Sequence, residues 1–554
     1  MQYVERIAAR IERASASVAR LLDRRPVAAW CVFSLLYFGA AAWRASRKPF
    51  WYDELVTLHL SRLPGMTELW AAFRTATDSM PPLLHLLTGA SVAIFGEGHV
   101  SARVPAMVGV WIMCLCLYVF VRRHCPALYG WAAAATMALA MASLRFCEEA
   151  RCYGLLMGFT GLALVFWQSA IGRHRRLCLC GLALSVAAAV FCHSLAGLLV
   201  AVLGSGELAR ARVRRKLDWA VFAALLAAAS AILLLIPSAQ AGAAAYAGSQ
   251  WSRPRLSGIL EAYQFLLGPL VVPLWTALVL ACAWWSLRAA NDLSPARSPV
   301  WRMPHAEAVL ALAFLALPVL TAMAGFLTGV FAPRYALPAL AGLCIMTAYL
   351  SRAVERNGPM LGVLVVATAL AWLALETARR PPLTAYAQSA AWALAARTNP
   401  DLPIVVDDAF AFLRELHYAP RDIAPYATTH AVRLQAALRA QGHRDAAQRG
   451  DGDNGSCTTR PGTSLRGWSS WLTPRAHRAS GNKSATTGLV LLARRAPLRV
   501  EQPERFLAAH RRFYLLGTEW FESWLRAHLV ESGAGVRLLR GGKFGELYLV
   551  EIDR

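Results

Sequence analysis

The sequence predicts a polytopic α-helical membrane protein of about eleven spans, with juxtamembrane helices in the first outer loop and a small C-terminal α/β domain. Three observations predict it. Of the 554 residues, 57% are hydrophobic and only 16% charged, too few for a water-exposed surface of that size. Apolar stretches of bilayer-crossing length recur through the first two thirds of the chain, where each backbone N–H needs a partner within its own helix. Beyond residue 379 the pattern changes to short β-rich runs (PIVVDD, GLVLLAR, GELYLVEI) alternating with helical stretches at 502–513 and 517–529.

Residues 1–25 are an Arg-rich segment (Arg6, Arg10, Arg13, Arg20, Arg24, Arg25), too long and too basic for a signal n-region, so the first span at 26–43 reads as an uncleaved anchor with a cytoplasmic N-terminus. Further spans are expected at 100–121, 127–143, 152–170, 177–192, 195–208, 217–237, 268–287, 307–329, 335–351 and 359–377. Dividing the apolar run 177–204 at His193-Ser194 puts the Arg-rich loops at 122–123, 173–176, 210–216 and 288–302 all on the cytoplasmic side. The membrane domain is then 26–378, with a first outer loop at 44–99, in which residues 81–95 form a short helix lying at the surface. Residues 379–554 follow the last span as an extracytoplasmic domain, with a Gly-, Ser- and Thr-rich mobile loop at 442–486. The net charge of +24 would point to nucleic acid in a soluble protein; here much of it follows the positive-inside pattern, so no nucleic-acid partner is implied. Twelve cysteines, mostly inside apolar runs, offer no disulfide framework to the C-terminal domain.

Three segments carry chemistry. KPFWYDELVTLHL places Asp53 and Glu54 just beyond the first span; Asp53 either caps a helix starting at Glu54 or acts as a general base, and the pair could hold a metal. SLRFCEEARCYG gathers Arg145, Glu148, Glu149, Arg151 and Tyr153 between two spans, as solvated Glu–Arg pairs or as a site. FAPRYALPAL sets Arg334 and Tyr335 at the outer end of a span, where an arginine either snorkels to headgroups or binds phosphate. Arg103 lies at similar depth, and His85, Glu149, His193 and Glu261 are further candidates for substrate contact. The chain has no His-x-x-x-His, Cys-x-x-Cys or Gly-rich phosphate loop, which argues against zinc-hydrolase and nucleoside-triphosphate chemistry.

In this order the segments resemble the membrane glycosyltransferases of the GT-C superfamily, close to the protein O-mannosyltransferase and aminoarabinose transferase branch. Asp53-Glu54, Pro81-Pro82-Leu83, the ARVPA run with Arg103, EARCY with Arg151 and Tyr153, and PRYALPAL with Arg334 and Tyr335 carry the resemblance over residues 26–380. Leu84-His85 stands where many relatives carry lysine. The resemblance implies transfer of a sugar from a polyprenyl-phosphate donor to a lipid, glycan or protein acceptor at the outer face of a bacterial cytoplasmic membrane, with inversion. It implies Asp53 as base, Glu54 orienting it or binding a divalent cation such as Mg or Mn, and Arg151, Tyr153, Arg334, Tyr335 and Arg103 around the donor phosphate. No other cofactor is expected. The alternative is a transporter or flippase of polyprenyl-linked sugars, which would need charged groups at the membrane midplane, whereas charges here sit mostly at span ends.

Overall fold

The computed structural model describes the chain apart from residues 1, 79, 246–253, 292–302, 355–358, 382, 384–394, 407–408, 419–425, 429–491, 493–498, 502, 518–523, 543–544 and 553–554. The expected mobile loop 442–486, Cys457 and most of the GLVLLAR run lie outside the described residues.

Before the first span, α1 (Gln2–Arg24) is an amphipathic helix that passes through Pro26 at a helix N1 position into α2 (Pro26–Ser46). The next loop holds α3 (Tyr52–Ser61), α4 (Met66–Arg74) and α5 (Leu83–Phe95). Then come α6 (Val104–Arg122), α7 (Ala127–Leu139), α8 (Met141–Cys147), α9 (Cys152–Ser169), α10 (Arg175–Cys192), α11 (Leu199–Arg214), α12 (Trp219–Ala229) and α13 (Ile236–Ala245). The membrane part ends with α14 (Ser257–Asn291), α15 (His305–Leu315), α16 (Leu317–Thr328), α17 (Ala339–Val354) and α18 (Met360–Ala378). Among the described residues seven helices are long and apolar enough to cross a membrane, or nine if each bent pair is one span. The chain is a multi-pass membrane protein.

Several expected spans are interrupted. The apolar run 127–143 breaks at Ala140, whose backbone is extended, so Met141–Cys147 becomes a separate helix. The run 307–329 bends by 46° between α15 and α16, where Pro318 cannot donate to the preceding turn. The division at His193 is present: α10 ends at Cys192, His193 is extended, and a 3-10 turn (Ser194–Leu198) leads into α11.

Glycines set the closest helix contact. A Cβ on Gly154 would lie 2.4 Å from the Ala106 carbonyl oxygen, and one on Gly109 would lie 2.2 Å from the Gly154 carbonyl oxygen. Backbones this close need small residues on both helices, and they hold α9 at the height that presents Arg151 and Tyr153. Gly154→Val is expected to cost roughly 1–3 kcal/mol through overpacking, read as a lower melting temperature in detergent.

The C-terminal part contains α19 (Ala409–Tyr418), α20 (Pro503–Ala509) and α21 (Trp524–Glu531) around a six-stranded sheet of β1 (Ile404–Val406), β2 (Tyr426–Thr428), β3 (Val500–Glu501), β4 (Arg512–Gly517), β5 (Gly535–Gly542) and β6 (Gly545–Glu551). The strand order is β3-β2-β1-β4-β6-β5; β1 pairs parallel with β2 and β4, whereas β4–β6 and β6–β5 are antiparallel. The helix expected at 502–513 stops at Ala509, because RFYLLG forms a central strand. Its last five residues are all buried, and such a continuous apolar run has no period by which to distinguish strand from helix. One core joins this domain to the loop after α2: Phe50, Leu55, Val56 and Leu69 pack with Ile404, Phe412, Leu516 and Leu549.

Candidate active site

Asp53 and Glu54 are successive residues of α3, so their side chains leave the helix about 100° apart and meet different surroundings. The residue that caps α3 is Trp51, not Asp53; Glu54, at the third helical position, reaches back to accept the Trp51 amide at 3.0 Å. Glu54 is 1% exposed and its two oxygens also accept the Ala150 amide at 2.7 Å and both Nε (2.8 Å) and Nη2 (2.9 Å) of Arg103. Arg103 is 0% exposed. Besides Glu54 it donates to the carbonyls of Ala45 (2.6 Å), Lys48 (2.7 Å) and Pro49 (3.1 Å), so five acceptors meet its five N–H groups. The expectation of Arg103 as a phosphate ligand and Glu54 as a metal ligand therefore meets an internal pair with no donor or oxygen to spare.

Asp53 points the other way and is 36% exposed. Arg151, the residue before α9, lies against it, with Nη2 3.8 Å from Asp53 Oδ2 and Nη1 donating to the Asp53 carbonyl and to Thr57 Oγ1, each at 3.2 Å. The same Nη1 reaches Asp78 Oδ2 at 3.3 Å, and Asp78 in turn holds His85 Nε2 at 3.2 Å and the Met80 amide at 3.1 Å. Burial alone would raise the Asp78 pKa, but the Arg151 charge and the His85 contact hold it at about 2. Asp78 was not a sequence candidate: a lone acid in ATDSMPP reads as a turn residue, which its Met80 contact also makes it. His85 thus sits behind Arg151 as a support, buried at 2% exposure.

A second group lies next to the first. The guanidinium of Arg334 stands 5.9 Å from the Tyr153 ring centroid and 5.8 Å from that of Tyr335, and His193 packs on Tyr335 at 4.8 Å and Tyr153 at 6.1 Å. Arg334 and Tyr335 are within electrostatic reach of both Asp53 and Arg151. Four segments thus bring Asp53, Arg151, Tyr153, His193, Arg334 and Tyr335 together at one end of the helices: the start of α3, the start of α9, the break at His193 and the 3-10 turn Pro333–Ala336. Glu149 and Glu261 are not among them. Glu149 is paired with Lys48 (2.8 Å) and Arg145 (3.2 Å), and Glu261 is exposed on α14. Glu148 binds Arg44 at 3.1 Å and also Arg380, which ties the end of α2 to the chain leaving α18.

Two buried histidines predict acid sensitivity in the first outer loop. Burial, together with Arg62 and His417, lowers His59 to about 4; burial, together with Arg103 and His417, lowers His99 to about 4. The unfolded chain takes up these protons near 6.5 and the folded one near 4, so the stability these two histidines contribute is complete above pH 6.5 and is lost as pH drops toward 4. Melting temperatures across pH 4–8 are expected to show that decline.

These features define a class: a polytopic membrane protein with an acidic group and two arginines at one membrane face, beside a small sheet domain. A family model described as dolichyl-phosphate-mannose-protein mannosyltransferase matches residues 79–238, which include Arg103, Arg151, Tyr153 and His193. The crystal structure of ArnT from Cupriavidus metallidurans in the apo state is similar with a TM-score of 0.55 at 13% identity, over 94% of this chain and 97% of that one. The same protein bound to undecaprenyl phosphate is similar with a TM-score of 0.54, at the same identity and coverage. No curated protein matches the sequence. Over nearly its whole length the chain shares the fold of these structures.

Proposed function

We propose that the protein transfers a hexosyl or pentosyl group from a polyprenyl-phosphate donor to a hydroxyl of a lipid, glycan or protein acceptor, at the outer face of a bacterial cytoplasmic membrane, with inversion. The observation that carries this is the half-exposed Asp53 beside Arg151 and Arg334 at one membrane face. The matching family and the undecaprenyl-phosphate-bound relative support the donor class.

The acceptor oxygen attacks the anomeric carbon and a new C–O bond forms as the bond to phosphate breaks; the electron pair leaves on the lipid phosphate. Asp53 accepts the hydroxyl proton as the oxygen acquires positive charge. Arg334 and Arg151 stabilise the departing phosphate, with Tyr153, Tyr335 and His193 shaping its seat. Asp78 and His85 fix Arg151. A flippase would need polar groups along a path through the midplane; a cluster confined to one end supports transfer instead.

The residues do not suit a divalent cation. Both Glu54 oxygens are occupied, Asp53 and Asp78 share Arg151, and among the described residues no three His, Cys, Asp or Glu side chains gather. Charge neutralisation therefore falls to arginine. Sugar release from a radiolabelled polyprenyl-phosphate-sugar donor in proteoliposomes tests the function. Arg334→Ala is expected to reduce kcat/KM for the donor by roughly 10- to 150-fold, the worth of about 1.5–3 kcal/mol for a charged hydrogen bond. EDTA is expected to leave the wild-type rate unchanged, and abolition by EDTA with recovery on adding Mg or Mn would sink the cation-free mechanism.

A further inference from the structure

The backbone that delivers Asp53 is held from the C-terminal domain. Tyr418, the last residue of α19, accepts the Phe50 amide on its hydroxyl at 2.7 Å, and the same hydroxyl lies 2.7 Å from His99 Nε2. The His99 ring lies nearly parallel to two others, 4.6 Å from Phe50 at an interplanar angle of 12° and 5.7 Å from Tyr418 at 16°. Phe50 is buried, and its ring also meets the Arg103 guanidinium at 4.8 Å and the edge of His417 at 5.2 Å. From the same helix of the C-terminal domain, Phe410 packs on Trp51 at 5.5 Å.

We propose that Tyr418 is a positioning residue, through whose hydroxyl the C-terminal domain fixes the approach of the chain to Asp53. This rests on the transfer chemistry proposed above. The geometry divides the work between two anchors. Arg103 and Glu54 hold the buried side of α3 to the ends of α2 and α9; Tyr418 holds the residue two before the start of α3. Phe50 is three residues from Asp53, so a shift of its amide passes to the base within a single turn of chain. The contact spans 368 residues of sequence, and its two partners come from different sides of the first loop. The hydroxyl, and not the ring, is the link: in Tyr418→Phe the stack on His99 can persist, while the Phe50 N–H loses its acceptor.

The full-length protein in proteoliposomes tests this with Tyr418→Phe and Tyr418→Ala, by donor-dependent kinetics and hydrogen exchange of the peptide covering residues 48–56. Tyr418→Phe is expected to lower kcat about tenfold, the share of one buried hydrogen bond, with donor KM within about twofold and faster exchange at Phe50. Tyr418→Ala is expected to be worse in both. Wild-type kcat and unchanged exchange in Tyr418→Phe would overturn the proposal, as would an equal loss of melting temperature and activity without a kcat-selective effect. Failure of the underlying chemistry is separately visible: Asp53→Asn would then turn over at the wild-type rate, and the exchange measurement would still report whether Tyr418 holds Phe50.

Discussion

Asp53→Asn is expected to lower sugar release by roughly 10²–10⁴-fold, the usual contribution of a positioned general base, with little change in donor KM. The substitution keeps the shape of the side chain and removes its capacity to take a proton. Asp53 lies on the half-exposed side of α3, its charge facing Arg151 at 3.8 Å, and none of the bonds that fix α3 runs through its carboxylate. Fold stability is therefore expected to change little, by about 0.3–1 kcal/mol from the lost acid near a helix N-terminus. Donor binding should persist because Arg334, Tyr153 and Tyr335 are untouched. Single-turnover release in proteoliposomes separates the step, and full turnover by Asp53→Asn would remove Asp53 from the role of base.

What the sequence made legible follows from how membranes punctuate it. Asp53, Arg151, Tyr153, His193, Arg334 and Tyr335 each stand where an apolar run ends, so a count of spans places them on one face without any tertiary information. Which charge binds which could not be read that way. Arg103 and Glu54 are 49 residues apart and Arg151 and Asp78 are 73 apart, so neither pairing leaves a periodic trace. Adjacent acids invite a shared role, yet the turn of α3 sends Glu54 into the protein and Asp53 out of it. Interrupted helices were hidden for a related reason: Ala140 and Pro318 break spans whose composition remains apolar throughout. In the C-terminal domain β4 was hidden because a strand buried on both faces has lost the alternation that identifies strands at a surface.

Arg103→Met is expected to cost about 3–5 kcal/mol of stability, the usual consequence of breaking a buried ion pair from one side. The loss has two sources. Glu54 would be left with only the Trp51 and Ala150 amides, and the carbonyls of Ala45, Lys48 and Pro49 would lose their donor inside a water-poor core. Glu54→Gln should cost less, because Gln can still accept from an amide and from Arg103 while losing the charge. The double variant should not return to wild type, since the three carbonyls stay orphaned in any protein that lacks Arg103. Both single variants should also lose activity, because Glu54 fixes Ala150, the residue before Arg151. That loss will track the melting temperature in detergent and be relieved at low temperature, whereas the loss in Asp53→Asn will not. An Arg103→Met protein that melts like the wild type but has a donor KM raised tenfold or more would reverse the assignment and return Arg103 to the phosphate.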